Sequence, residues 1–98
     1  MAVTALLDLH LKADRVQDGP AVLDAILRDT RAFEGSEGIE VLVDVADPAH
    51  LTVVEHWTSM ERDEAYRAWR ATPEGASGLG EVLAAPPVLT RYETGSTL

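Results

Sequence analysis

An α+β domain is predicted by three features of the sequence: short stretches that alternate apolar and polar residues, two longer stretches with apolar residues every three or four positions, and the order β-α-β-β-α-β in which they occur. That order is the ferredoxin-like arrangement. Right-handed crossovers then place both helices on one face of a four-stranded antiparallel sheet. The chain of 98 residues is one domain, 1–98, because no linker-like stretch divides it.

The first strand is read over Val3–Lys12, where Val3, Ala5, Leu7, Leu9 and Leu11 alternate with Thr4, Leu6, Asp8, His10 and Lys12. Asp18-Gly19-Pro20 stops it and starts a helix, with Asp18 as the cap and Pro pre-set for the first turn. Val22, Leu23, Ile26, Leu27, Thr30 and Phe33 form that helix's sheet-facing stripe, and Gly35 and Gly38 end it. Ile39, Val41, Val43 and Val45 mark a second strand. Residues 46–50 read as its turn, and Leu51–Trp57 as a third strand paired with it as a hairpin. Thr58 and Glu61 fit a capping box for a second helix reaching about Ala71. Three glycines loosen residues 72–80, a short third helix is expected around Leu79, Val82 and Leu83, and Pro86-Pro87 ends it. Val88–Glu93 is the last strand.

Composition narrows the functional classes. Eight Lys and Arg against 17 Asp and Glu give a net charge of −9, which repels nucleic acid and anionic lipid surfaces. Without cysteine there is no disulfide framework, thiol nucleophile or Cys-based metal site. Neither a basic leader with a long apolar run nor an 18-residue apolar stretch is present, so a cytoplasmic protein that does not enter membranes is expected. A domain of this size buries only about 60–65% of its unfolded surface, so self-association is a natural source of stability. The second face of the sheet, with Leu6, Asp8, His10, Glu40, Leu42 and Asp44, has no helix to cover it. A second copy packed there would close two sheets into a barrel-like homodimer.

Three stretches carry a family resemblance: Glu34-Gly35-Ser36-Glu37-Gly38-Ile39-Glu40-Val41, Val54-Glu55-His56-Trp57-Thr58-Ser59, and Glu64-Ala65-Tyr66-Arg67-Ala68-Trp69-Arg70. Together with the closing residues 86–92 they resemble the antibiotic biosynthesis monooxygenase family over roughly residues 3–93. The Glu-x-Trp of Glu55 and Trp57, followed by a hydroxyl cap, is the most telling part. The resemblance implies a dimeric α/β barrel with a pocket between sheet and helices in each subunit. It also implies oxidation of electron-rich phenols or hydroquinones by O2 with no metal, flavin or haem. Haem-degrading relatives use an Asn on the first strand and a His on the third helix. Here aliphatic residues surround Leu7, and residues 72–83 hold no His, which argues against haem. Where many relatives carry a His on the second helix, this chain has Tyr66.

The candidate site follows from residue chemistry. Trp57, Tyr66, Trp69 and Tyr92 offer rings that stack on a planar substrate and polar tips that orient it, although such residues also fill cores. Glu55 shares a strand face with Val53 and Trp57; it is expected to pair with Arg91 or, unpaired, to serve as a base. Tyr66 and Arg91 are the candidates for stabilising negative charge on a phenolate, with Trp57, Trp69, Tyr92 and Glu55 around the substrate. No metal site is expected. His50 in the hairpin turn and His56 at the strand's far end are too far apart for one ion, and His10 and His56 read as polar residues of the sheet's second face. Nucleophile elbows, phosphate-binding glycine loops and Ser/His/Asp sets are absent. The expected function is a cofactor-independent monooxygenase acting on a small aromatic or polycyclic phenol. The alternatives are a non-catalytic dimer that binds a small molecule or partner, and a cofactor-free isomerase or cyclase using Glu55.

Overall fold

The computed structural model describes residues 2–97. Six elements follow the expected order: β1 (Val3–His10), α1 (Gly19–Ala32), β2 (Ser36–Asp44), β3 (Asp47–Trp57), α2 (Met60–Arg70) and β4 (Val88–Glu93). The four strands form one antiparallel sheet in the order β2-β3-β1-β4. Both helices lie on one face, as the ferredoxin-like reading requires. A single 3-10 turn over Leu79–Val82 replaces the expected third helix. Gly78 and Gly80 cost too much backbone entropy for a longer one.

Strand alternation separates the two faces. Val3, Ala5 and Leu9 of β1 and Leu51, Val53, Glu55 and Trp57 of β3 are buried toward the helices. Leu23 and Leu27 of α1, three- and four-spaced as a helical stripe must be, join Leu9, Leu11, Leu51, Val53, Val82 and Leu83 in one cluster. Tyr66 of α2 joins Val3, Ala5 and Trp57 in a second, with Phe33, Met60 and Trp69 packed on it. The opposite face bears Thr4, Leu6, Asp8, His10, His50, Val54, His56 and Tyr92, and no helix covers it. The molecule is accordingly a slab 19 Å thick, about two layers.

Local chemistry moves several boundaries. The β2–β3 connection is tighter than expected, because β3 begins at Asp47 and not at Leu51. Asp44 accepts from the N–H of Ala46 at 2.8 Å and Asp47 from that of Ala49 at 3.0 Å, so short side chains close the turn. A register shift after Val43 leaves Pro48, which has no N–H to donate, outside the β2 ladder. Asp18 precedes α1 but makes no capping bond; Arg15 holds its carboxylate at 2.8–3.0 Å instead. At α2 the cap is Ser59, which accepts from the N–H of Arg62 at 3.3 Å, so Thr58 and Glu61 form no capping box. Gly35, with φ +96°, lies so close to α2 that a Cβ there would meet the Arg62 side chain at 2.5 Å.

Candidate functional site: a cavity between the sheet and the two helices

Helix α2 places three polar side chains over the sheet because Tyr66, Arg67 and Arg70 sit one, three and four positions apart. The Tyr66 hydroxyl accepts from Arg70 Nε at 2.8 Å and shares a 2.6 Å hydrogen bond with the Thr30 hydroxyl of α1. Arg70 also donates to the carbonyl of Ile26 at 2.9 Å and to that of Gly75 at 3.2 Å. It thereby ties α2 to α1 and to the following loop. Gly75 is needed there, since a Cβ would sit 2.0 Å from the Trp69 carbonyl oxygen. The Tyr66 ring is flanked by Arg67 at 5.0 Å and Arg70 at 5.2 Å, within cation–π range.

Beneath this layer Glu55 is 1% exposed. A carboxylate so placed must be paired and hydrogen-bonded. It accepts from the Trp57 indole N–H at 3.2 Å and from Arg67 Nη2 in an ion pair. Arg67 in turn pairs with Asp63 at 3.1 Å, and Asp63, also buried, accepts from Arg91 at 2.9 Å. Two carboxylates and two guanidinium groups thus alternate from β3 through α2 to β4. Arg67 still has one buried donor to spare, for its Nε has no partner among the described residues.

A cavity of about 180 Å³ opens beside these groups. Leu7, Leu23, Ile26, Leu27 and Leu79 form its apolar wall, and Glu55, Tyr66, Arg67, Arg70 and Ser77 its polar one. The volume decides the size of guest, because an engineered apolar cavity of about 150 Å³ holds one benzene. One aromatic ring is therefore enclosed, and further rings must extend through the mouth.

The residues singled out from sequence divide on this map. Tyr66 and Glu55 line the cavity. Trp57 is fully buried in the core with its ring 5.0 Å from that of Tyr66, and Trp69 packs on the outer side of the same cluster. Tyr92 pairs with Thr4 and lies half exposed on the open face, away from the cavity. Arg91 is bound to Asp63 and not to Glu55, which corrects the expected ion pair. Arg67, Arg70 and Ser77 were not foreseen as wall residues. The four-residue spacing from Tyr66 was the signal for Arg70; Arg67, next to Tyr66 in sequence, carried no such signal.

The histidines also sort differently. His56 stands apart, against Thr4 at 3.5 Å and Glu40 at 3.5 Å. His10 and His50 are direct cross-strand partners whose rings stack at 4.6 Å. His50 bridges Asp44 at 2.8 Å and Asp8 at 2.5 Å, and its hydrogen bonds to these two carboxylates, Asp44 foremost, raise its pKa. The same bonds hold both carboxyl groups below their usual range.

Comparison with known proteins agrees with this architecture. The family described as antibiotic biosynthesis monooxygenase matches residues 2–76. Rv0793 from Mycobacterium tuberculosis superimposes with a TM-score of 0.80 at 20% identity, over 99% of this chain and 98% of that one. A variant of SnoaB, a cofactor-independent oxygenase from Streptomyces nogalater, gives 0.83 at 13% identity, over 99% and 96%. A conserved protein from Methanosarcina mazei Go1 gives 0.77 at 20% identity, over 94% and 91%. No protein with a curated description matches by sequence. At these identities the structures speak for the fold.

Proposed function

Because the chain belongs to the antibiotic biosynthesis monooxygenase family, we propose that it oxidises a small phenol or hydroquinone with O2 in the cavity between sheet and helices, using no metal, flavin or haem. The observation that carries this reading is a ring-sized, largely apolar cavity with Arg67 and Arg70 in its wall, Arg67 holding a buried Nε–H that has no partner among the described residues and that a guest reaches once the side chain turns toward the cavity. A phenolate oxygen is the natural acceptor. It would gain a charge-assisted hydrogen bond in a site of low dielectric, where such bonds are strongest.

The roles follow from position. The aliphatic wall and the face of Tyr66 hold the ring. Arg67 stabilises the phenolate and so favours its formation, and Arg70 fixes Tyr66. Glu55 and Asp63 position Arg67, and Arg91 acts through Asp63. Trp57 and Trp69 support Tyr66 from behind. An electron-rich phenolate supplies the reducing electrons itself. With a free para carbon, its C–H and O2 become a quinone C=O and water: one oxygen atom bonds to carbon, the other leaves as water, and four electrons pass from ring to O2. Glu55, already paired with Arg67, is no free base, which disfavours the isomerase or cyclase alternative.

The working form we assign is a homodimer closed across the open sheet face, where Leu42, Val88 and Tyr92 are about half exposed. The compartment we assign is the cytoplasm, on the cysteine-free composition. No helix of the described residues is long and apolar enough to cross a membrane. The test is O2 uptake by tag-free protein with single-ring hydroquinones, naphthols and anthrones. One O2 consumed per substrate, faster than autoxidation and slowed at least tenfold in Arg67→Gln, is expected. Tight binding without O2 uptake would leave a ligand-binding protein, and neither would remove both readings.

A further inference from the structure

On the open face, at the end of the sheet where the β2–β3 hairpin turns, three donors converge that sequence spacing keeps apart. Asp8 and His10 project from the same side of β1, and the β1–β3 register brings His50 opposite His10. Their ligand atoms all lie within 4.8 Å of one another. His10 Nε2 is 3.3 Å from Asp8 Oδ2, and His50 Nε2 is 2.5 Å from Asp8 Oδ1. Donors about 2.0–2.1 Å from one tetrahedral ion stand roughly 3.3–3.4 Å apart, so the His10–Asp8 pair is at metal spacing, while His50 must give up its bond to the other Asp8 oxygen and one of the two rings, stacked at 4.6 Å, must turn until both lone pairs point at the ion. The fourth residue is Asp44. It accepts from the other ring nitrogen of His50 at 2.8 Å, an arrangement that turns Nε2 toward a metal and raises its basicity.

The geometry points to a divalent transition-metal site formed by His10, His50 and Asp8, with Asp44 orienting His50. Two imidazoles and one carboxylate suit Zn2+, Co2+ or Ni2+ and not Ca2+ or Mg2+, which favour all-oxygen sets. Three protein ligands leave a position for water. His56, on the same face but bound to Thr4 and Glu40, is no part of the site. The cavity lies on the other face of the sheet, so the site stands or falls separately from the oxygenase reading; Asp8 stands in register between Leu42 and Val88, so the site borders the homodimer contact, and the ion count is read together with the oligomeric state.

Equilibrium dialysis of tag-free, chelator-stripped protein against Zn2+, with Co2+ absorption spectra as an independent readout, tests the site. One ion per chain is expected, together with the visible bands of low-coordinate Co2+. His10→Ala and His50→Ala should each abolish both signals, Asp44→Asn should weaken binding about 10–100-fold, and His56→Ala should leave it unchanged. Circular dichroism checks the fold of each variant, and His10→Ala, at the exposed strand end, decides if His50→Ala unfolds. Binding that survives His10→Ala in a folded protein, or falls equally in His56→Ala, overturns the site, as does wild-type protein that retains no ion.

Discussion

Arg67 reaches from α2 to the carboxylate of Glu55 on β3, and the group it pairs with there is almost entirely withdrawn from solvent. The same guanidinium serves Asp63, also fully buried, which Arg91 pairs from its other side, so Arg67 is the one cation within reach of Glu55 among the described residues. Replacing Arg67 with Met keeps much of the volume and removes the charge. Such a loss costs about 3–5 kcal/mol when it leaves a buried partner unpaired. Urea denaturation should show that loss in Arg67→Met and a smaller one in the double variant Arg67→Met, Glu55→Gln. Equal losses in the two would mean that the buried charge on Glu55 is not what Arg67 compensates.

Tyr66→Phe keeps the stack against Trp57 and Phe33 and removes only the hydroxyl shared with Thr30 and Arg70. The buried partners it abandons cost about 1–3 kcal/mol. If Arg70 holds the ring as cavity wall, kcat for the accepted phenol should change little while KM rises several-fold. A collapse of kcat with KM unchanged would instead make the hydroxyl itself part of the chemistry.

Leu27 lines the cavity from α1 and is 3% exposed. Leu27→Ala should cost about 2–5 kcal/mol, as truncation in a packed core does. It should also admit a second ring, shifting preference from single-ring hydroquinones toward naphthols. The ratio of kcat/KM values for the two classes measures this, and an unchanged ratio would place the substrate elsewhere.

His50 makes stability depend on pH in a way that can be signed. Its folded pKa is raised above the ordinary 6.5 by Asp44 and Asp8, so its contribution is complete below about 6.5 and is lost as pH climbs through the raised value. Asp8 and Asp44 are lowered below the ordinary 3.8 by the hydrogen bond from His50, so theirs is complete above about 3.8 and is lost as pH falls through the lowered values. With a chelator present, the difference in Tm between wild type and His50→Gln should be greatest between about pH 4 and 6.5 and shrink on either side. A difference that grows above pH 7 would contradict the assignment.

The backbone was legible where periodicity was strong. β4 runs over the residues that its alternation and the preceding Pro86-Pro87 mark out, and the α1 stripe of Leu23 and Leu27 is buried as spaced. The β2–β3 turn was not legible, because Asp44 and Asp47 close it with side-chain bonds that hydropathy does not register. The expected pairing of Glu55 with Arg91 failed for a topological reason. β1 lies between β3 and β4, so Glu55 and Arg91 flank Ala5 from opposite sides, two strand spacings or roughly 9.5 Å apart. Arg91 therefore takes the nearer carboxylate offered from above by α2. Strand order alone would have exposed the difficulty. Likewise His10 and His50 meet only through the register of β1 against β3, a long-range fact that sequence spacing hides.

β4 carries the last prediction. All six of its residues are exposed, and it is held to the domain chiefly by its ladder with β1. On the open face it presents Val88 and Tyr92, while Leu42 presents more apolar surface at the other edge, on β2. An apolar edge strand left in water invites further pairing and aggregation, a hazard that a covering copy removes. Tyr92→Asp would bury a charge at one edge of such a contact, and Leu42→Asp would do the same at the other. Sedimentation velocity should show a wild-type dimer at tens of micromolar and a weakened or lost dimer in both Tyr92→Asp and Leu42→Asp. Because both side chains face away from the helix-side core, circular dichroism should be unchanged, and Tm should fall only as far as the lost association explains. A wild-type chain that sediments as a monomer at that concentration, or a Tyr92→Asp variant that dimerises as tightly as wild type, would show that the open face is not the contact.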